Sequence, residues 1–158
     1  MSIKQSARAL QKTPFLLELI RKTWRFTRPR YTAGAVGVIF NDSGAVLIVE
    51  HAYHAHTPWG LPGGYLDNRE DPDHAVAREL VEELSLRVEV GPIVHIERNY
   101  ASHLDLAYLC RMQGSIGALS SELISYRWSA LDDLPDLSDF HRRAIDAAVN
   151  RVPVHQWT

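Results

Sequence analysis

A single cysteine, Cys110, is all that the 158 residues provide, so no intramolecular disulfide can form and no cysteine-rich metal site exists. It lies in the apolar run LDLAYLCRM, where a thiol acts as a small buried hydrophobe. Long apolar runs are also missing, and no stretch approaches the roughly 20 residues of a membrane span. The early run Phe15 to Ile20 is short, carries Glu18 and has no small-residue cleavage site after it, which argues against a secretory leader and for the cytoplasm. Internal repeats are lacking, which excludes a solenoid. What remains, 46% hydrophobic and 23% charged residues, suits one globular domain with a single core.

Lysine is nearly absent as well: Lys4, Lys12 and Lys22 are the only three. Residues 1–30 hold eight basic residues and one acid, a net +7, whereas residues 31–158 hold nine basic and eighteen acidic residues, a net −9. The chain therefore reads as a basic arm, 1–30, and an acidic domain, 31–158. Within the arm, Thr13-Pro14 forms a cap and first-turn proline, and the spacing predicts a helix to about Thr27, stopped by Pro29. Phe15, Leu16, Leu19, Ile20 and Trp24 share one side of it. A helix docked on its own domain or on a partner subunit is the favoured reading, and a homodimer is one form of it. Contact with an anionic membrane or with nucleic acid is the alternative.

Downstream, the pattern predicts strands over 32–40 and 45–53 around an Asn-Asp-Ser-Gly turn, then a Pro/Gly-rich loop, 54–63. Asp71-Pro72 caps a helix to about Leu84, with Val76, Ala77, Leu80, Val81 and Leu84 as its apolar stripe and Glu79 and Glu83 at the rim. Strands follow over 88–100, 104–112 and 125–131, and Ser138 caps a last helix with Phe140, Ala144, Ile145 and Ala148 inward. This is an α/β or α+β mixture rather than a regular βαβ series.

The helix after Asp71 carries the chemistry. Glu79, Glu82 and Glu83 stand three and four residues apart, where like charges repel. Carboxylates at that spacing converge above one point, and hard oxygen donors suit Mg²⁺ or Mn²⁺ together with substrate phosphates. Gly63-Gly64 just upstream lets a backbone approach a ligand closely. Gly64, five residues, Glu70, seven residues, then Arg78-Glu79-Leu80-Val81-Glu82-Glu83 and Leu86 resembles the Nudix box. Ser85 replaces the glycine that usually ends the box helix. The likeness extends from Trp59-Gly60-Leu61-Pro62-Gly63-Gly64 to Arg127–Pro135 and covers about residues 32–150.

The resemblance implies an α/β/α sandwich around a mixed sheet, here with an extra N-terminal helix. It also implies metal-dependent hydrolysis of a nucleoside diphosphate linked to another moiety, by water attack on phosphorus. Carried over by position, Glu79, Glu82 and Glu83 bind metal, with the Gly64 carbonyl and Glu122 as further ligands. Glu79 is the chosen general base, and Arg78 pairs with Glu70 to brace the loop. Trp59, His54, His56, Tyr65 and Arg98 are the candidate contacts for a small nucleotide substrate, with His51, Tyr100 and His103 also near the box or a turn. Two other functions compete with this one: pyrophosphohydrolysis at RNA 5′ ends, with the arm gripping phosphates, and nucleotide sensing without turnover. The acidic body disfavours the first and the full set of box acids disfavours the second.

Overall fold

The computed structural model describes residues 14–26, 30–53, 56–99 and 102–151. It separates into two compact units, Met1–Arg30 and Tyr31–Thr158. The first contains helix α1, Pro14–Phe26.

The second unit is built on β1, Thr32–Ile39. Its run Gly34–Ile39 is buried throughout, as expected of a strand covered on both faces. β1 pairs in parallel with β6, His103–Met112, and antiparallel with β4, Gly63–Tyr65. β5, Val88–Asn99, joins β6 antiparallel and completes the four-stranded order β4-β1-β6-β5. A second sheet has the order β3-β2-β7, formed by Trp59–Gly60, Val46–His51 and Leu123–Ser129.

Helix α2, Pro72–Leu84, covers one side through Val76, Leu80 and Leu84, which pack with Ala35, Ile39, Leu47, Tyr108 and Cys110. Helix α3, Asp139–Arg151, covers the other side with Phe140, Ala144, Ile145 and Ala148 against Val36, Val38, Ile48 and Leu109. The mixed sheet is thus in two parts inside an α/β/α sandwich. Each fully buried leucine or isoleucine here contributes about 1.5–3 kcal/mol relative to exposure.

Several sequence expectations need correction. The 54–63 segment is not all loop, because Trp59–Gly60 and Gly63–Tyr65 pair as short strands. Gly63 adopts φ 142° and lies against the Ala35 carbonyl with no room for a Cβ, so the glycines that argued against a strand are what let the backbones meet. β2 stops at His51, and β7 begins at Leu123 because that side chain fills the core. The buried face of α2 is rotated from the predicted stripe: Val81 is 46% exposed, while Ala75 and Glu83 are buried. Asp71 has the extended backbone of an N-cap but makes no side-chain cap bond. Ser138 does cap α3, its Oγ accepting from the His141 N–H at 3.3 Å.

Candidate active site

The box segment closes on itself through one guanidinium. Arg78 Nε and Nη2 donate to the two oxygens of Glu70, both at 2.9 Å, and Nη2 also donates to the Tyr65 carbonyl at 3.1 Å. Arg78 Nη1 donates to Glu79 at 2.8 Å and to Glu82 at 3.3 Å. The Asp67 N–H donates to Glu70 at 2.8 Å, across a turn whose Arg69 has φ 69°. A bidentate guanidinium of this kind is a rigid brace between loop and helix. The hydrogen bonds from Arg78, aided by the one from the Asp67 N–H, hold the Glu70 carboxyl at about 2.

Glu83 differs from its neighbours. It is only 4% exposed, and its Oε2 accepts from the Gly63 N–H at 3.0 Å, which ties α2 to β4. Burial pushes its carboxyl up to about 8; the Gly63 bond opposes the rise, and the charges of Glu79, Glu122 and Glu82 add to it. Glu122 itself is exposed in the loop before β7, yet its charge is felt at Glu83. The helix ends at Ser85 in the left-handed conformation, φ 50° and ψ 32°. That is the conformation glycine would supply. The Ser85 hydroxyl donates to the Ala118 carbonyl at 3.0 Å, which compensates for the side chain.

On the other side of β4 lies a cleft of about 180 Å³ lined by the Gly63-Gly64 backbone, His51, Tyr65, His103, Asp105 and His141. Parallel pairing sets Thr32 beside His103 and Gly34 beside Asp105. His103 is fixed at both nitrogens, 2.7 Å from Thr32 Oγ1 and 3.0 Å from Asp105 Oδ1. The Tyr65 ring stands edge-on to His103, with centroids 5.2 Å apart. Gly60 makes room for His141, which would lie 2.8 Å from any Cβ placed there.

Residues 30–148 match the NUDIX domain family. The chain belongs to the Nudix family. It is therefore a hydrolase acting on phosphoric anhydride bonds, and divalent metal use is typical of the family. A MutT-like protein of Streptomyces ambofaciens is 30% identical over 109 residues, spanning 68% of this chain and 70% of that protein. An RNA pyrophosphohydrolase of Rhodopseudomonas palustris (strain BisB18) is 30% identical over 131 residues, spanning 63% and 74%. The crystal structure of an ADP-ribose pyrophosphatase from Streptococcus suis 89-1591 superposes with a TM-score of 0.64 at 26% identity, over 77% of this chain and 93% of that one.

The Nudix box brings Glu70, Arg78, Glu79, Glu82 and Glu83 together around Gly63-Gly64. A Cβ on Gly64 would fall 2.5 Å from Glu79 Oε1, so the Gly64 backbone and the Glu79 carboxylate share one small space. As the side chains stand, Arg78 engages Glu79 and Glu82, and among the described residues no three metal-ligating side chains already form a coordination set. The donor chemistry nonetheless fits a hard divalent cation. The donors are all oxygen, and the repulsion from Glu79, Glu122 and Glu82 that adds to the burial of Glu83 is what a dication would relieve.

The predicted substrate contacts scatter. Tyr65 lines the cleft, but Trp59, His56 and Arg98 do not. Trp59 packs against the α3-side core and beneath the Arg127 guanidinium, 5.2 Å from the ring centre. His56 and Arg98 are exposed. His54 and Tyr100 lie outside the described residues. Sequence reasoning missed Asp105 and His141. The available signal for Asp105 was a lone acid in an otherwise apolar strand, on the row that faces Gly34.

Proposed function

We propose that this Nudix hydrolase cleaves the pyrophosphate of a nucleoside diphosphate linked to another moiety, using Mg²⁺ or Mn²⁺. The observation that carries the reading is a buried Glu83 that is fastened to the Gly63 backbone and feels the charges of Glu79, Glu122 and Glu82. Glu79, Glu82, Glu83 and the Gly64 carbonyl hold the cation, with Glu122 as the ligand from the late loop. A dication held there would supply charge neutralisation at the phosphate oxygens and a more acidic water. Glu79 accepts the proton of the attacking water. Arg78 and Glu70 keep the box loop in register with α2, so the acids face the scissile phosphates with little freedom.

The cleft behind β4 takes the organic part of the substrate. Asp105, held by His103, presents an acceptor for a hydroxyl or amino group, and Tyr65 offers a ring face. The likeness to an ADP-ribose pyrophosphatase supports a nucleotide conjugate as the first substrate class to try.

The test is phosphate release across nucleoside triphosphates, nucleotide sugars and a 5′-triphosphorylated RNA oligonucleotide, with Mg²⁺ or Mn²⁺. Glu79→Gln and Glu83→Gln serve as blanks and are expected to lose at least a hundredfold in turnover with an unchanged circular dichroism spectrum. Full activity in both variants would overturn the assigned metal site. Turnover of the RNA alone would replace the conjugate reading with the RNA-end reading.

A further inference from the structure

We infer that helix α1 docks in the plane of an anionic lipid surface and carries the hydrolase domain to it. Three observations converge on that partner. The first is the apolar side. Phe15, Leu19 and Trp24 are 81%, 49% and 60% exposed. The second is charge: Arg21 and Lys22 are exposed on the narrower remaining arc, where exposed Glu18 lies between them, within an arm of net +7. The third is length. Thirteen residues of helix extend about 20 Å, against a hydrocarbon core of about 30 Å, so α1 can lie in the interface but cannot span it.

Other occupants satisfy only half of this surface. A second copy packed apolar side to apolar side would set two strongly basic arms side by side. Nucleic acid would meet the charges but not the apolar arc. An anionic bilayer surface takes both at once: acyl chains receive Phe15, Leu19 and Trp24, and headgroups receive the cations. The placement of every lysine at or before position 22 fits the same picture, because a lysine stem lies along the apolar zone while its ammonium reaches the headgroups. Salt screens the attraction between the basic arc and the headgroups, so attachment is reversible and salt-sensitive.

Co-sedimentation of the full chain with phosphatidylcholine vesicles, with and without 30% phosphatidylglycerol, tests this. Expected is at least tenfold tighter binding to the anionic vesicles at low salt, lost in 0.5 M NaCl. Leu19→Glu should abolish it through the apolar arc, and Arg21→Glu with Lys22→Glu should abolish it through the basic arc. Both variants should keep hydrolase activity on soluble substrate. Equal binding to neutral and anionic vesicles overturns the proposal, as does no binding to either. If Leu19→Glu leaves anionic binding intact and RNA competes for it, the arm is a polyanion grip and the lipid reading is wrong. If sedimentation velocity shows a dimer that Leu19→Glu dissolves and vesicles do not bind, the apolar arc belongs to a second copy.

Discussion

Replacing Glu83 by glutamine should make the protein more stable and less useful. The native fold raises this carboxyl from 4.5 to about 8, chiefly by burial. Between those two values the native state holds a proton that the unfolded chain has already released. Metal-free protein therefore loses stability as pH rises through that window, and the loss is complete above the native value. Each pKa unit corresponds to about 1.4 kcal/mol, which sets an upper limit of about 5 kcal/mol. Glutamine keeps an acceptor for the Gly63 N–H but never ionises, so Glu83→Gln should gain about 2–4 kcal/mol at pH 8.5 and almost nothing at pH 4.5. Urea unfolding of both proteins in EDTA, from pH 4.5 to 8.5, reads this directly. Adding Mg²⁺ should then stabilise the native sequence more than the variant. A difference that stays constant across pH, or a variant that is weaker at pH 8.5, would refute the burial argument.

The acid side carries the opposite sign. Glu70, held at about 2 by Arg78, contributes stability that is present above pH 4.5 and is lost as pH falls toward 2; Glu70→Gln should flatten that limb of the unfolding profile. At Ser85, glycine relieves the left-handed backbone by about 1 kcal/mol but gives up the Ala118 hydrogen bond, so Ser85→Gly should be close to neutral or slightly stabilising. Ser85→Ala keeps the strain and loses the bond, and should be about 1 kcal/mol less stable than Ser85→Gly by thermal melting. Cys110 is buried and its thiol is pushed up to about 12, so a thiol reagent should react only on unfolding. Asp105→Asn should raise KM at least tenfold with a smaller change in kcat if the cleft binds the organic part of the substrate.

The sequence disclosed the box because its parts are neighbours along one chain. Glu70, Arg78 and the three box glutamates meet through one turn and one helix, so spacing placed the glutamates and the Nudix resemblance paired Arg78 with Glu70. Helix α3 was equally legible, since Phe140, Ala144, Ile145 and Ala148 form a clean stripe behind a serine cap. Helix α2 was less so. Its apolar pattern pointed to Val81, but the Gly63 N–H draws Glu83 inward and turns Val81 out. The short strands around Pro62 were hidden because their partners, β2 and β1, come earlier in the chain and their glycines count against strands. The cleft was hidden for the same reason at longer range: Thr32 meets His103, and Gly60 meets His141, only once the sheets are assembled.

That difference in range has a temporal consequence. The braced turn at residues 67–78 closes over one short stretch of chain, whereas the apolar face of α2 waits for Tyr108 and Cys110 of β6. β1 cannot complete its parallel pairing until β6, about seventy residues later, has been made. During synthesis the Glu70–Arg78 brace can therefore precede the cleft, and a chain interrupted before residue 103 would carry the box segment without His103, Asp105 and His141.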